Sequence, residues 1–265
     1  MKTKFRHLSL DRREAVTWVT IDRTRDRNSI HTGLMAEVEQ CLAVLEENGT
    51  RAAVFTGAGK TYFIGGADGI EMMQLSRKQA QAFSSRIQGL FDRLESSTLI
   101  TVAAINGLCF GGGFEFALAC DLRVAGPGAR IGLPEVKVGL IPGGGGTQRL
   151  PKLVGTGKAM ELILSGRLVN PAEAEKLGLI HLAVEDGLLS DAVDRLLTPI
   201  LKQPHHALRL AKQAVLAADR EPSNAGMAVE SECFGRCFES SFFRDLMQQQ
   251  LRDGVLTTSE DTSKL

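Results

Sequence analysis

From Phe5 to Asp22 apolar and polar residues alternate. Val16, Trp18, Val19 and Ile21 predict a strand that ends at the charged turn Arg23–Arg27. Leu34, Met35, Val38, Cys41, Leu42 and Leu45 then recur at helical spacing, and Asn48-Gly49 stops that helix. Arg51 to Thr56 reads as a buried strand feeding Gly57-Ala58-Gly59. A helix is predicted over Ser76 to Leu94, with Phe83, Ile87, Leu90, Phe91 and Leu94 on one face, and Leu99 to Ile105 is again a short apolar strand. Strand, helix, strand, helix, strand is the order of an α/β core with at least partly parallel strands. After about Gly143 strand signals thin out, and helical patterns dominate from Lys158 to Leu251. The expected organisation is an α/β core over residues 1–195 with a helical region over residues 196–265 attached to it. The sequence shows no tandem repeat.

Composition narrows the function classes. The 265 residues hold 31 Lys+Arg against 31 Asp+Glu. That balance argues against a surface built for nucleic acid or an anionic membrane, both of which reward excess positive charge. The five cysteines, Cys41, Cys109, Cys120, Cys233 and Cys237, are odd in number and lie in apolar segments. They read as buried thiols of a reducing compartment, and no metal site is expected. The start of the chain has no apolar run of signal-peptide length, and no run reaches about eighteen apolar residues. A soluble cytoplasmic protein is the expectation.

Three clusters carry candidate chemistry. In the first, a buried strand runs through Asn106-Gly107 into Gly111-Gly112-Gly113-Phe114-Glu115 and a helix over Phe116 to Cys120. Glycines permit unusual dihedrals and close approach of a ligand to the main chain. A helix start adds free N–H groups and partial positive charge, so the segment suits a developing negative charge. No Gly-Lys-Ser/Thr follows, which excludes a P-loop, and the spacing is not GxGxxG. The second cluster is Leu133-Pro134-Glu135, with Val136, Val138, Leu140 and Ile141 nearby, followed by Pro142 and the glycine run Gly143–Gly146. A carboxylate among apolar neighbours tends towards a raised pKa, which suits proton transfer near neutrality. With no function attached, Glu135 would be an exposed surface residue and the glycine run a flexible loop entering a helix. The third cluster, Tyr62 to Asp68, offers small residues whose N–H groups can point inward.

In this order the clusters resemble the enoyl-CoA hydratase/isomerase (crotonase-like) family. The resemblance rests on Ala104 to Arg123, Leu133-Pro134-Glu135, and Pro142 to Leu150, with the two glutamates twenty positions apart. It implies a spiral of repeated strand–strand–helix units and C-terminal helices that build a homotrimer or homohexamer. It also implies an oxyanion hole from the N–H groups of Ala67 and Gly112, with Glu115 and Glu135 as the acid–base pair. Gly66, Asp68, Gly111, Pro134 and Gly143 are the implied substrate-binding positions. The implied reaction is reversible hydration of a 2-enoyl thioester, with Glu115 activating water and Glu135 delivering the α-carbon proton. Isomerisation or dehydration of a 3-hydroxyacyl thioester are the alternatives within the family, and an inactive scaffold is the alternative outside catalysis. No cofactor is implied beyond coenzyme A as part of the substrate, and acyl-carrier protein is a second possible carrier. Two departures stand out. Asp68 is followed by Gly69-Ile70 where the family pattern has an aliphatic residue and lysine, and the C-terminal helix ends Met247-Gln248-Gln249-Gln250-Leu251-Arg252-Asp253 instead of in basic residues.

Overall fold

The structure is a computed structural model that describes residues 4–253. The chain divides into two compact units, Met1–Thr198 and Pro199–Leu265. In the first unit the alternating N-terminal segment forms two strands, not one. β1 (Leu8–Arg13) and β2 (Val16–Ile21) pair antiparallel. The reversal falls at Glu14, whose φ is +53°. Next come α1 (Thr32–Glu47), β3 (Ala52–Gly57), β4 (Tyr62–Ile64), α2 (Gly69–Met72) and α3 (Arg77–Glu95). They are followed by β5 (Ile100–Ile105), β6 (Leu108–Phe110), α4 (Gly112–Ala119), β7 (Leu122–Ala125) and β8 (Arg130–Gly132). A 3₁₀ turn over Glu135–Val138 leads to α5 (Gly146–Val154), α6 (Thr156–Ser165), α7 (Pro171–Lys176), β9 (Leu182–Ala183) and α8 (Leu189–Leu201).

Two sheets share these strands. The larger has the order β1-β2-β3-β5-β7-β9, and the smaller has the order β4-β6-β8. Every pairing except β1–β2 is parallel. Each of β3, β5 and β7 therefore hands the chain to its successor in the other sheet before a helix returns it. This is a strand–strand–helix spiral. The small-sheet strands have three residues each, too short for a period-two pattern to register.

The core holds α4 rigidly. All eight of its residues are buried, so it is apolar on every side except at Glu115. Phe116 makes edge-to-face contacts with Phe55, Phe63 and Phe91, at centroid distances of 5.1, 6.3 and 5.8 Å. Such pairs add about 0.5–1.5 kcal/mol each beyond area burial. A Cβ on Gly113 would lie 2.0 Å from the Ile64 carbonyl oxygen, so only glycine lets α4 start so close to the end of β4. Helix α3 begins with a capping box between Ser76 and Gln79 and buries Ile87, Leu90, Phe91 and Leu94, much as the sequence pattern predicts.

The second unit contains α9 (His205–Arg220), α10 (Ser223–Cys237) and α11 (Phe242–Arg252), with α9 and α10 packed together. Phe234, Phe238 and Phe243 form an edge-to-face chain. All five cysteines are free thiols. Among the described residues, no helix is long and apolar enough to cross a membrane.

Candidate active site

Glu115 lies in the first turns of α4 and is 2% exposed. Its Oε1 accepts two backbone hydrogen bonds, from Gly144 N–H and Gly146 N–H, both at 2.8 Å. Gly146 opens α5, so the carboxylate also sits at the positive end of a helix. Burial pushes its pKa up, and the two N–H groups and the charge of Arg149 oppose that push. The glycine run is thus not a flexible loop. A Cβ on Gly144 would stand 2.7 Å from Glu115 Oε2 and 2.8 Å from the Phe91 ring, and one on Gly146 would stand 3.0 Å from Oε1. These glycines are required because the main chain itself presses against the carboxylate.

Glu135 opens the 3₁₀ turn, with Pro134 in the capping position. Its Oε2 is buried with no hydrogen-bond partner. Burial, opposed by its own backbone N–H and reinforced by the Glu115 charge, pushes its pKa up to about 7. Of the apolar neighbours that the sequence offers as the cause, Leu133 is buried and Val136 half-buried. Val138, Leu140 and Ile141 are exposed, since the tight turn throws them outward. What encloses Glu135 includes Gly111, where an added Cβ would lie 3.2 Å from Oε1. Gly111 has φ +56° and ψ −131°, a conformation open to glycine, and its carbonyl accepts the Glu115 N–H. One glycine turn therefore touches one glutamate and starts the helix that carries the other.

Ala67 and Gly112 meet beside this turn. Ala67 forms an isolated parallel bridge with Ile30, in which Ile30 N–H donates to Gly66 O and Asp68 N–H donates to Ile30 O, each at 2.8 Å. A residue flanked in this way turns its own N–H to the opposite side. There, a Cβ added to Gly112 would be 3.2 Å from Ala67 N. Among the described residues, neither the Ala67 nor the Gly112 N–H has a protein acceptor. Two free donors at the start of a buried helix suit an oxyanion.

The remaining predicted positions divide between turn and scaffold. Gly66 (φ +91°) and Gly111 shape the turn. Gly143 presents its carbonyl to α3, accepting from Ser84 Oγ at 2.7 Å and Gln88 Nε2 at 2.9 Å. Asp68 has both carboxylate oxygens engaged. Oδ1 caps α2 through the Ile70 and Glu71 N–H groups, and Oδ2 meets Arg23 at 3.0 Å and Ser29 Oγ at 3.4 Å. Burial works against its charge, but these donors hold its pKa below the usual range. Asp68 is anchored as scaffold beside Ala67.

Comparisons with known proteins identify the family. The enoyl-CoA hydratase/isomerase family profile matches residues 11–251. A short-chain-enoyl-CoA hydratase of Clostridium acetobutylicum is 35% identical, over 90% of this chain and 92% of that protein. A crotonyl-CoA hydratase of Syntrophomonas wolfei is 33% identical, over 88% and 90%. The chain belongs to the enoyl-CoA hydratase/isomerase family. The crystal structure of an enoyl-CoA hydratase from Bacillus anthracis superposes with a TM-score of 0.87 at 33% identity, covering 94% of this chain and 97% of that one. Within this family frame, the residues that sequence reasoning overlooked are the donors to Glu115. Gly144 and Gly146 look like loop filler until a buried carboxylate in need of N–H groups is placed beside them.

Proposed function

We propose that this enoyl-CoA hydratase adds water reversibly across the 2,3-double bond of an enoyl-CoA thioester through an enolate intermediate. The observation that carries the reading is the pair of glutamates joined by the Gly111 turn, next to the two free N–H groups of Ala67 and Gly112. Attack of water at the β-carbon moves negative charge onto the thioester oxygen. Donors aimed at that oxygen stabilise it more in the transition state than in the substrate.

The two carboxyl environments support a division of labour. Glu115, whose burial is offset in part by two N–H donors, is the more readily ionised of the pair and takes the proton of the attacking water. Glu135, whose buried Oε2 lacks a donor, favours the protonated form and delivers its proton to the α-carbon. Hydration ends with the proton on Glu115 and the charge on Glu135, so one pair with one proton serves both directions. Double-bond migration needs only one carboxyl that carries a proton between the α- and γ-carbons, which is why the second carboxylate favours water chemistry. The reaction uses no cofactor beyond the coenzyme A of its substrate.

Loss of absorbance at the enoyl-thioester band on mixing with crotonyl-CoA tests the reading. Steady turnover is the expected result, and no turnover with crotonyl-CoA or a branched enoyl-CoA contradicts it. A homotrimer or homohexamer is proposed as the working assembly. The support is the exposed apolar surface of the second unit, with Met227 62% and Phe234 67% exposed alongside Phe242 and Phe243. Sedimentation of only monomer at micromolar concentration contradicts it.

A further inference from the structure

The two N–H groups that hold Glu115 are themselves held by a second set of side chains. Arg149, three residues into α5 from Gly146, donates from Nη1 to the Gly144 carbonyl at 3.2 Å. Its Nη2 and Nε reach Asp92 at 2.6 Å and Glu95 at 3.2 Å, both on α3. Ser84 and Gln88, on the same helix, grip the Gly143 carbonyl. Ser84, Gln88, Asp92 and Glu95 follow one another at helical spacing along α3, and together they clasp the segment from Gly143 to Arg149. The Arg149 side chain is 13% exposed although it forms two ion pairs, one of them with the largely exposed Asp92. Its guanidinium spans the gap between α3 and the glycine run, a task its planar fork suits.

We infer that Arg149 is a positioning residue for the hydration reaction, fixing the Gly144 and Gly146 N–H groups on Glu115 Oε1 and adding a cation that offsets part of the cost of burying that carboxylate's charge. The inference rests on the reading of Glu115 as the group that activates water. The direction of the charge effect agrees, since Arg149 acts against the burial that pushes the Glu115 pKa up. The charged group acting on Glu115 is Arg149 from α5, Glu115 in turn acts on Glu135 of the 3₁₀ turn, and Asp92 and Glu95 of α3 act through Arg149.

Two variants separate the bonding from the charge. Arg149→Gln removes both, so kcat for an enoyl-CoA should fall about 10–100-fold, the usual worth of a small misplacement at a reacting centre. KM should change less than about threefold. Ionisation of Glu115 should also require a higher pH, so the acid limb of kcat/KM moves upward. Arg149→Lys keeps the cation without the fork. It should return the acid limb to its wild-type position while kcat recovers only in part. A merely structural residue would lower the melting temperature and leave the limb unmoved, which overturns the inference, as does wild-type kcat in either variant. If Arg149→Gln does not fold, Arg149→Lys alone decides: reduced kcat with the wild-type limb supports the inference, and unchanged kcat overturns it. Titrating the Glu115 carboxyl by ¹³C NMR in wild type and in the folded variants provides a readout independent of turnover. An unshifted titration in Arg149→Gln overturns the inference. Full activity in Glu115→Gln instead overturns the role of Glu115, whatever the titration shows.

Discussion

Glu115 and Glu135 lie in one site, yet the chain surrounds them in opposite ways. Around Glu115 the main chain closes in, with two N–H donors on one oxygen, glycines where any Cβ would collide, and a helix start behind them. Around Glu135 the enclosure supplies no donor to Oε2, and the flanking Val138 and Ile141 face outward. Both carboxyls feel desolvation, but Glu115 is answered by two N–H groups from another segment and by the Arg149 charge, whereas Glu135 has only its own N–H and the opposing charge of Glu115. Burial alone therefore does not decide which glutamate holds the proton. The Gly144 and Gly146 donors set the two apart, and they come from a segment that the eye reads as a loop.

Removing either carboxyl is the strongest way to break this comparison. Glu115→Gln and Glu135→Gln should each fold and lose about 10²–10⁴-fold in kcat, the usual worth of a positioned acid or base. Wild-type turnover in either variant removes that residue from the mechanism. Gly144→Ala should come next. Its methyl must displace the Glu115 carboxyl or the Phe91 ring, costing about 1–3 kcal/mol of stability and at least roughly tenfold in kcat. Denaturant melts and steady-state rates check both, and an unperturbed variant would show that the run has slack.

The third effect is on stability and has an unusual sign. The folded pKa of Glu135 is raised, so the folded state disfavours the charged form. The resulting penalty is absent below the ordinary carboxylate range near 4.5, grows as pH rises, and is complete above about 7. Glu135→Gln should therefore be more stable than wild type at pH 8, by about 1–2 kcal/mol after allowing for partial exposure, and show no such gain at pH 4. Equal melting temperatures at pH 8 would mean that Glu135 is not held against its charge. The smallest expected effect concerns the carrier. With uncharged Ile70 and Gln248–Gln250 where the family resemblance implies cations, removing the 3′-phosphate of the coenzyme A thioester should lower kcat/KM less than tenfold. A larger loss, more than about 1.4 kcal/mol, shows a specific phosphate contact.

Much of the large sheet was legible because its strands are long and apolar, and α3 because its buried face repeats at helical spacing. The small sheet was not, since three residues such as Leu108–Phe110 carry too little pattern. At the site, Gly111-Gly112-Gly113-Phe114-Glu115 announced a strand-to-helix turn by its glycines. The role of Gly144 was hidden because its constraint is a carboxylate 29 residues earlier in the chain. The apolar run beside Glu135 points to the raised pKa, though the fold buries only part of it: Leu133 is buried, while Val138, Leu140 and Ile141 are exposed.

The division between the two carboxyls is tested most directly by isolating the α-carbon step. A saturated acyl-CoA such as butyryl-CoA cannot lose water, but its α-proton can still exchange with solvent through the enolate. At pH 8, where Glu135 is mostly ionised, exchange into D₂O followed by proton NMR reports the base at the α-carbon alone. The account predicts that Glu115→Gln keeps α-proton exchange within about tenfold of wild type while Glu135→Gln loses it by at least about 10². Exchange that survives in Glu135→Gln and disappears in Glu115→Gln would reverse the assignment and contradict the account.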